Sequence, residues 1–150
     1  MNTNPQFANK KLPRGIRNNN PGNLKKSSAR WAGKVVNPLD TVFESFDTMQ
    51  NGVRAAIKNA HTQWNRGADT VQEFISIWAP KSDNNNTSAY VAAVAKKAGI
   101  SPTKEFAFGN NDTTAKILHA VFIHENGPIA GDYIKLEAVK GHLAALYPKS

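Results

Sequence analysis

The stretch DTTAKILHAVFIHENGP, residues 112–128, reads as a helix whose last turn carries chemistry. Ile117, Leu118, Val121 and Phe122 recur at helical spacing, Asp112 opens the run, and Gly127-Pro128 closes it. Ile117, Val121 and Glu125 stand at i, i+4 and i+8, so the carboxylate continues the apolar stripe at its C-terminal end. There, partial desolvation, the negative end of the helix dipole and a scarcity of cations disfavour the ionised form. A protonated His124 would oppose that shift. A raised pKa is what a carboxylic acid needs to protonate a glycosidic oxygen near neutral pH, and Gly127 leaves space beside it. The plain alternative is a solvated last-turn glutamate.

Working outward, Asp47 with Gln50 makes a capping box for a helix carrying Met49, Val53, Ala56, Ile57, Ala60 and Trp64, with Gly67 beyond its end. Thr70 with Glu73 opens another, bearing Val71, Phe74, Ile75 and Trp78 until Pro80 stops it. After a loop from Asp83 to Thr87, Tyr90, Val91 and Val94 mark a helix closed near Gly99. The last helix starts at about Asp132 and aligns Leu136, Val139, Leu143 and Leu146. Ahead of these helices, residues 14–46 read as turns, dense from Asn18 to Asn23, with short β-type pieces at Lys34-Val35-Val36 and Thr41-Val42-Phe43. Residues 1–13 are expected to be a flexible N-terminal segment and residues 14–150 a single domain. The expected class is α+β, mostly α: a small N-terminal β-rich lobe followed by about five helices.

The 150 residues contain no cysteine, which excludes disulfides, thiolate nucleophiles and cysteine metal sites. No run approaches the ~20 apolar residues of a membrane span. The polar, basic start lacks a signal-peptide core, so synthesis in the cytoplasm without a signal peptide is expected, with any export by another route. Nineteen Lys and Arg against eleven Asp and Glu give a net charge of +8, which draws the chain toward polyanions. Nucleic acid is not the expected partner, because the lysines are scattered and no basic recognition helix stands out. His61, His119 and His142 lie on separate segments, and His119 and His124 are five apart, so no metal or other cofactor is expected.

A second cluster lies at Arg14–Leu24, RGIRNNNPGNL, followed by Trp31, Gly33, Phe43 and Phe46. Amide side chains offer both donors and acceptors, matching the hydroxyl and acetamido groups of aminosugars, and an indole offers a face to a sugar ring. Asn19, Asn20, Asn23 and Trp31 are therefore candidate substrate-binding residues, although asparagines also serve simply as turn formers. Trp78, Tyr90 and His124 join them, Trp78 and Tyr90 against the alternative of plain core packing. Glycosidases commonly use two carboxylates. The candidates for the second are Glu44, Asp40 and Asp47; Asp47 is better explained as a cap, and Glu44 as a solvent-facing strand residue. One acid suffices if the sugar's own C6 hydroxyl attacks, giving a 1,6-anhydro product. The absence of an obvious second carboxylate thus favours a lytic transglycosylase over a hydrolase.

From Arg14 to about Trp78 the chain resembles a phage and prophage family of virion-associated peptidoglycan-degrading proteins. The resemblance rests on Arg14–Leu24, Trp31-x-Gly33, Gly52-Val53-Arg54-Ala55, Trp78-Ala79-Pro80, an Asn-x-Thr-x-x-Tyr pattern at Asn85–Tyr90, and His124-Glu125-Asn126-Gly127. It implies a lysozyme-like fold and wall-lytic activity, often of the lytic transglycosylase kind. A looser similarity to bacterial β-N-acetylglucosaminidases covers Asn19–Leu24, Trp31-Ala32-Gly33 and Phe43–Phe46. There the glutamate helix comes first, whereas here it comes last, which suggests a circular permutation of that fold. The implied partner is bacterial peptidoglycan, met at the cell wall or periplasm by a monomer. Other murein bonds, a peptide-stem endopeptidase and a non-catalytic wall-binding virion protein remain as alternatives.

Overall fold

The computed structural model describes residues 9–79 and 86–148. Among them it orders seven helices: α1 (Arg14–Arg17), α2 (Met49–Asn65), α3 (Val71–Trp78), α4 (Thr87–Ala98), α5 (Asp112–Asn126), α6 (Ala130–Tyr133) and α7 (Leu136–Leu146). Most of the expected flexible segment, the stop at Pro80 and the loop positions Asp83 to Asn85 lie outside the described residues.

The five long helices are those that the apolar spacing predicts, and side-chain oxygens start four of them. Thr48 caps α2 by accepting from Asn51 N at 3.1 Å, and Thr70 caps α3 through Glu73 N at 3.2 Å. Asn86 caps α4 and Asn111 caps α5 in the same way. The cap of α2 is therefore Thr48 rather than Asp47, whose carboxylate instead accepts from the Asn51 amide at 2.9 Å. Asp132 lies in the short α6, and the last long helix begins only at Leu136.

α5 is the central element. Thr114, Ala115, Ile117, Leu118, Ala120, Val121 and Phe122 are all buried along it, and α4, α7, α1 and α6 pack around it. One apolar core runs from Ile16 of α1 to Leu143 of α7. None of the described helices is long and apolar enough to cross a membrane.

The α+β expectation fails at the N-terminal lobe. Among the described residues there is no sheet, only isolated antiparallel bridges at Lys25–Phe43, Lys34–Phe46 and Thr70–Glu105. The architecture is all-α, so the lysozyme-like α+β reading, with its permuted order, gives way here. Side chains satisfy much of the backbone that a ladder would otherwise pair. Asn20 Nδ2 donates to Leu24 O and Glu44 O, both at 3.0 Å, while Leu24 N donates to Asn20 Oδ1. The amides of Val42 and Phe43 donate to Asp40 Oδ1. Left-handed backbone at Asn37, φ 55°, turns the chain between the two β-type pieces.

Candidate active site

Glu125 sits half-buried in the last turn of α5, one turn beyond the fully buried Val121. The chain leaves the helix at Gly127 with φ 81°, a conformation that a side chain would strain, and no atom lies within 4 Å of where its Cβ would be. Glu125 itself is only partly buried. One flank of its carboxylate belongs to the N-terminal loop: Asn23 Nδ2 donates to Glu125 Oε1 at 3.0 Å. Oε2 accepts no hydrogen bond of good geometry from any described residue.

The loop that brings Asn23 here is fastened at several points. Asn126, next to the acid, donates from Nδ2 to Pro21 O at 2.8 Å and to Phe122 O at 2.9 Å. Trp78 Nε1 donates to Gly22 O at 3.1 Å. Gly52 of α2 lets the loop backbone approach, since a Cβ there would overlap the carbonyl oxygen of Asn19. Gly15 does the same for the amides: an added Cβ would collide with Asn126 Oδ1 and come within 2.8 Å of Asn23 Oδ1.

Tyr90 stands behind the acid, 1 % exposed, with its ring stacked on His124 at a centroid distance of 3.7 Å. Burial first, and then the neighbouring Glu125 carboxylate, push its phenol pKa well up. Its hydroxyl lies against that carboxylate without reaching good hydrogen-bond geometry to any partner. His124 itself is exposed.

Asn23, Trp78, Tyr90, His124 and Glu125 therefore converge. Asn19 and Asn20 support the site from beneath: both are buried, with their amide nitrogens spent on Phe46 O, Leu24 O and Glu44 O. They are not available to a ligand in the way the sequence suggests. Trp31 and Glu44 lie elsewhere, lining a separate cavity of about 510 Å³ with Lys26, Arg30 and Lys34. Glu44 is no solvent-facing residue. It is 1 % exposed and paired with Lys34 Nζ at 3.0 Å.

Asp40 is likewise committed. It accepts from Arg14 Nε at 2.6 Å, Arg14 Nη2 at 2.7 Å and Asn18 Nδ2 at 2.9 Å, besides the two backbone amides. Burial alone would raise its pKa, but the Arg14 guanidinium and the other donors together hold it well below the usual carboxylate range. The arginine also lies 4.7 Å over the Phe43 ring.

A groove of about 320 Å³ extends from Asn23, lined by Gly22, Leu24, Lys25, Asn59, Gln63, Ile77 and Trp78. Sequence reasoning missed Asn59 and Gln63. The available signal is their i, i+4 spacing directly before Ala60 and Trp64, the apolar positions of the same helix. It also gave no role to Asn126, although that residue stands in the His124–Gly127 motif. Among the described residues no group of three or more His, Cys, Asp or Glu is arranged to hold a metal ion.

No family model matches the chain. It is similar to Protein P5 of Pseudoalteromonas phage PM2, with 36% identity over 128 residues that cover 81% of this chain and 78% of that protein. At that identity and coverage, the chain belongs to the bacteriophage protein family of Protein P5.

Proposed function

We infer that this protein cleaves the MurNAc–GlcNAc bond of peptidoglycan glycan strands as a lytic transglycosylase, with Glu125 as its single acid/base. The observation that carries this reading is the half-buried Glu125 carboxyl at the end of α5, fixed through Oε1 by Asn23 of the N-terminal loop. In the proposed reaction the carboxyl gives its proton to the glycosidic oxygen as the C–O bond breaks, leaving an oxocarbenium-like sugar. The resulting carboxylate then takes the proton of that sugar's C6 hydroxyl, whose oxygen bonds to C1 and closes the 1,6-anhydro ring. No water is consumed and Glu125 regains its proton.

Three further points support this reading. The sequence resembles wall-degrading virion proteins, and a bacteriophage relative is in keeping with a chain that meets a bacterial wall. Asp40 and Glu44, which the sequence offers as second carboxylates, are occupied by Arg14 and Lys34. The net charge of +8 favours residence on an anionic wall, where the protein would act as a monomer.

The test is digestion of purified murein by wild type and by Glu125→Gln, with mass spectrometry of the sugar ends. The expected result is 1,6-anhydro ends from wild type and none from the variant. Free reducing ends would make the protein a hydrolase, cut stems a peptidase, and equal inactivity of both proteins a wall-binding module.

A further inference from the structure

The groove that extends from Asn23, the residue bonded to Glu125, has a lining that its neighbours do not explain. Asn59 and Gln63 project from α2 one turn apart, both half-buried, and no described residue engages either side-chain amide. Opposite them lie Ile77, 48 % exposed, and Trp78, whose indole N–H is already given to Gly22 O, so that only its apolar ring surface is offered. The groove contains no carboxylate, and Lys25 is the charged residue at its edge. Its walls are held in place by the loop contacts to α2, α3 and α5 described above. At about 320 Å³ it lies at the low end of the ~300–1,000 Å³ typical of small-ligand sites.

Two free amides facing an apolar wall suit a ligand that presents an amide and hydroxyls on one side and a hydrocarbon face on the other. A cationic ligand would find no carboxylate to pair with there, and an anionic one only Lys25 at the edge. We propose that this groove is the subsite for an N-acetylated sugar adjoining the bond cut at Glu125, with Asn59 and Gln63 reading its acetamido group and Trp78 and Ile77 carrying its ring. This assignment rests on the proposed glycan-cleaving function. Asn23 links the two places, because it lines the groove and holds the acid.

The test uses tri-N-acetylchitotriose as an uncharged probe and its fully deacetylated counterpart as control, titrated into wild type, Glu125→Gln and the double variant Asn59→Ala/Gln63→Ala. Wild type and Glu125→Gln should bind the acetylated trimer alike. The double variant should bind it about 10-fold more weakly, and the deacetylated trimer should bind none of the proteins comparably. On solubilised glycan strands the double variant should raise KM by a similar factor and leave kcat nearly unchanged, a split that a general loss of folding would not give. The proposal is overturned if the double variant binds as tightly as wild type, if the deacetylated trimer binds equally well, or if wild type fails to bind the acetylated trimer at millimolar concentration. Each of these binding results is independent of whether Glu125→Gln stops murein cleavage, so failure of the subsite and failure of the catalytic reading are told apart.

Discussion

Asn23 and Glu125, 102 residues apart in the chain, meet through a 3.0 Å hydrogen bond from the amide nitrogen to the carboxylate. The bond joins the N-terminal loop to the end of the central helix and fixes the direction in which the acid presents its second oxygen. Because Asn23 has φ 51°, it is also one of the few places where an asparagine is easier to fit than most other side chains.

Replacing the acid is the first prediction. Glu125→Gln keeps an oxygen to accept from Asn23, so thermal unfolding should move by no more than a few degrees. Zymogram clearing should fall by about 10²–10⁴-fold, the usual worth of a general acid. Clearing at the wild-type rate would remove Glu125 from the chemistry.

Asn23→Gly tests the positioning role without straining the backbone, since glycine accepts the positive φ. Turnover on solubilised glycan should drop by about 10-fold or more through misplacement of the carboxylate. Unchanged turnover would show that Glu125 needs no such anchor.

Gly52→Ala reverses the ordinary helix rule. In the interior of a helix alanine normally stabilises by about 1 kcal/mol, but here its Cβ would overlap the Asn19 carbonyl. A loss of about 2–3 kcal/mol is expected from denaturant melts. Gly15→Ala should cost a comparable amount and also reduce activity, since it displaces the Asn23 and Asn126 amides. A stabilised Gly52→Ala would mean that the loop does not rest on α2.

The Arg14–Asp40 clamp makes stability depend on acid. The folded Asp40 carboxyl releases its proton far more readily than the unfolded one, whose pKa is about 3.9. Its stabilisation is therefore complete above about pH 4 and is lost as the pH falls from there toward the lower folded value. Asp40→Asn should cost about 2 kcal/mol at pH 7, a figure that allows for the solvent screening of the half-exposed arginine. The gap between variant and wild type should close on acidification, and a gap independent of pH would exclude the clamp.

Tyr90→Phe removes a buried hydroxyl that makes no good hydrogen bond, so the fold should hold or gain up to about 1 kcal/mol. Activity separates two roles for the ring: turnover should fall if the hydroxyl steadies Glu125, and the stacking on His124 alone would leave it unchanged.

The five long helices were legible because their apolar residues fall on single faces; of their side-chain caps only Thr70 was read from the sequence, and Thr48, Asn86 and Asn111 were not. Glu125 was legible for the same reason, since it extends the face of Ile117 and Val121. Residues 24–46 were not. Val42 and Phe43 carry β-type side chains, yet their backbone N–H groups go to the Asp40 carboxylate, and Asn20 donates to the carbonyl of Glu44, a pairing across 24 residues that short-range patterns do not reveal. Glu44 was misread for the same reason, because the period-2 alternation placed it outside while Lys34 drew it in. Asn19 and Asn20 look like ligand-binding amides in sequence, and only the fold shows that the backbone consumes them.

The meeting of chain positions 23 and 125 has a consequence for biosynthesis. A ribosome releases the asparagine loop long before it makes Glu125, so an incomplete chain holds one half of the candidate site without its carboxylate. Contacts of such wide sequence separation carry a large loop-closure cost, and α5, which supplies Glu125, is also the axis on which the rest packs. On the proposed function, products that end before residue 112 lack Glu125 and should leave murein intact.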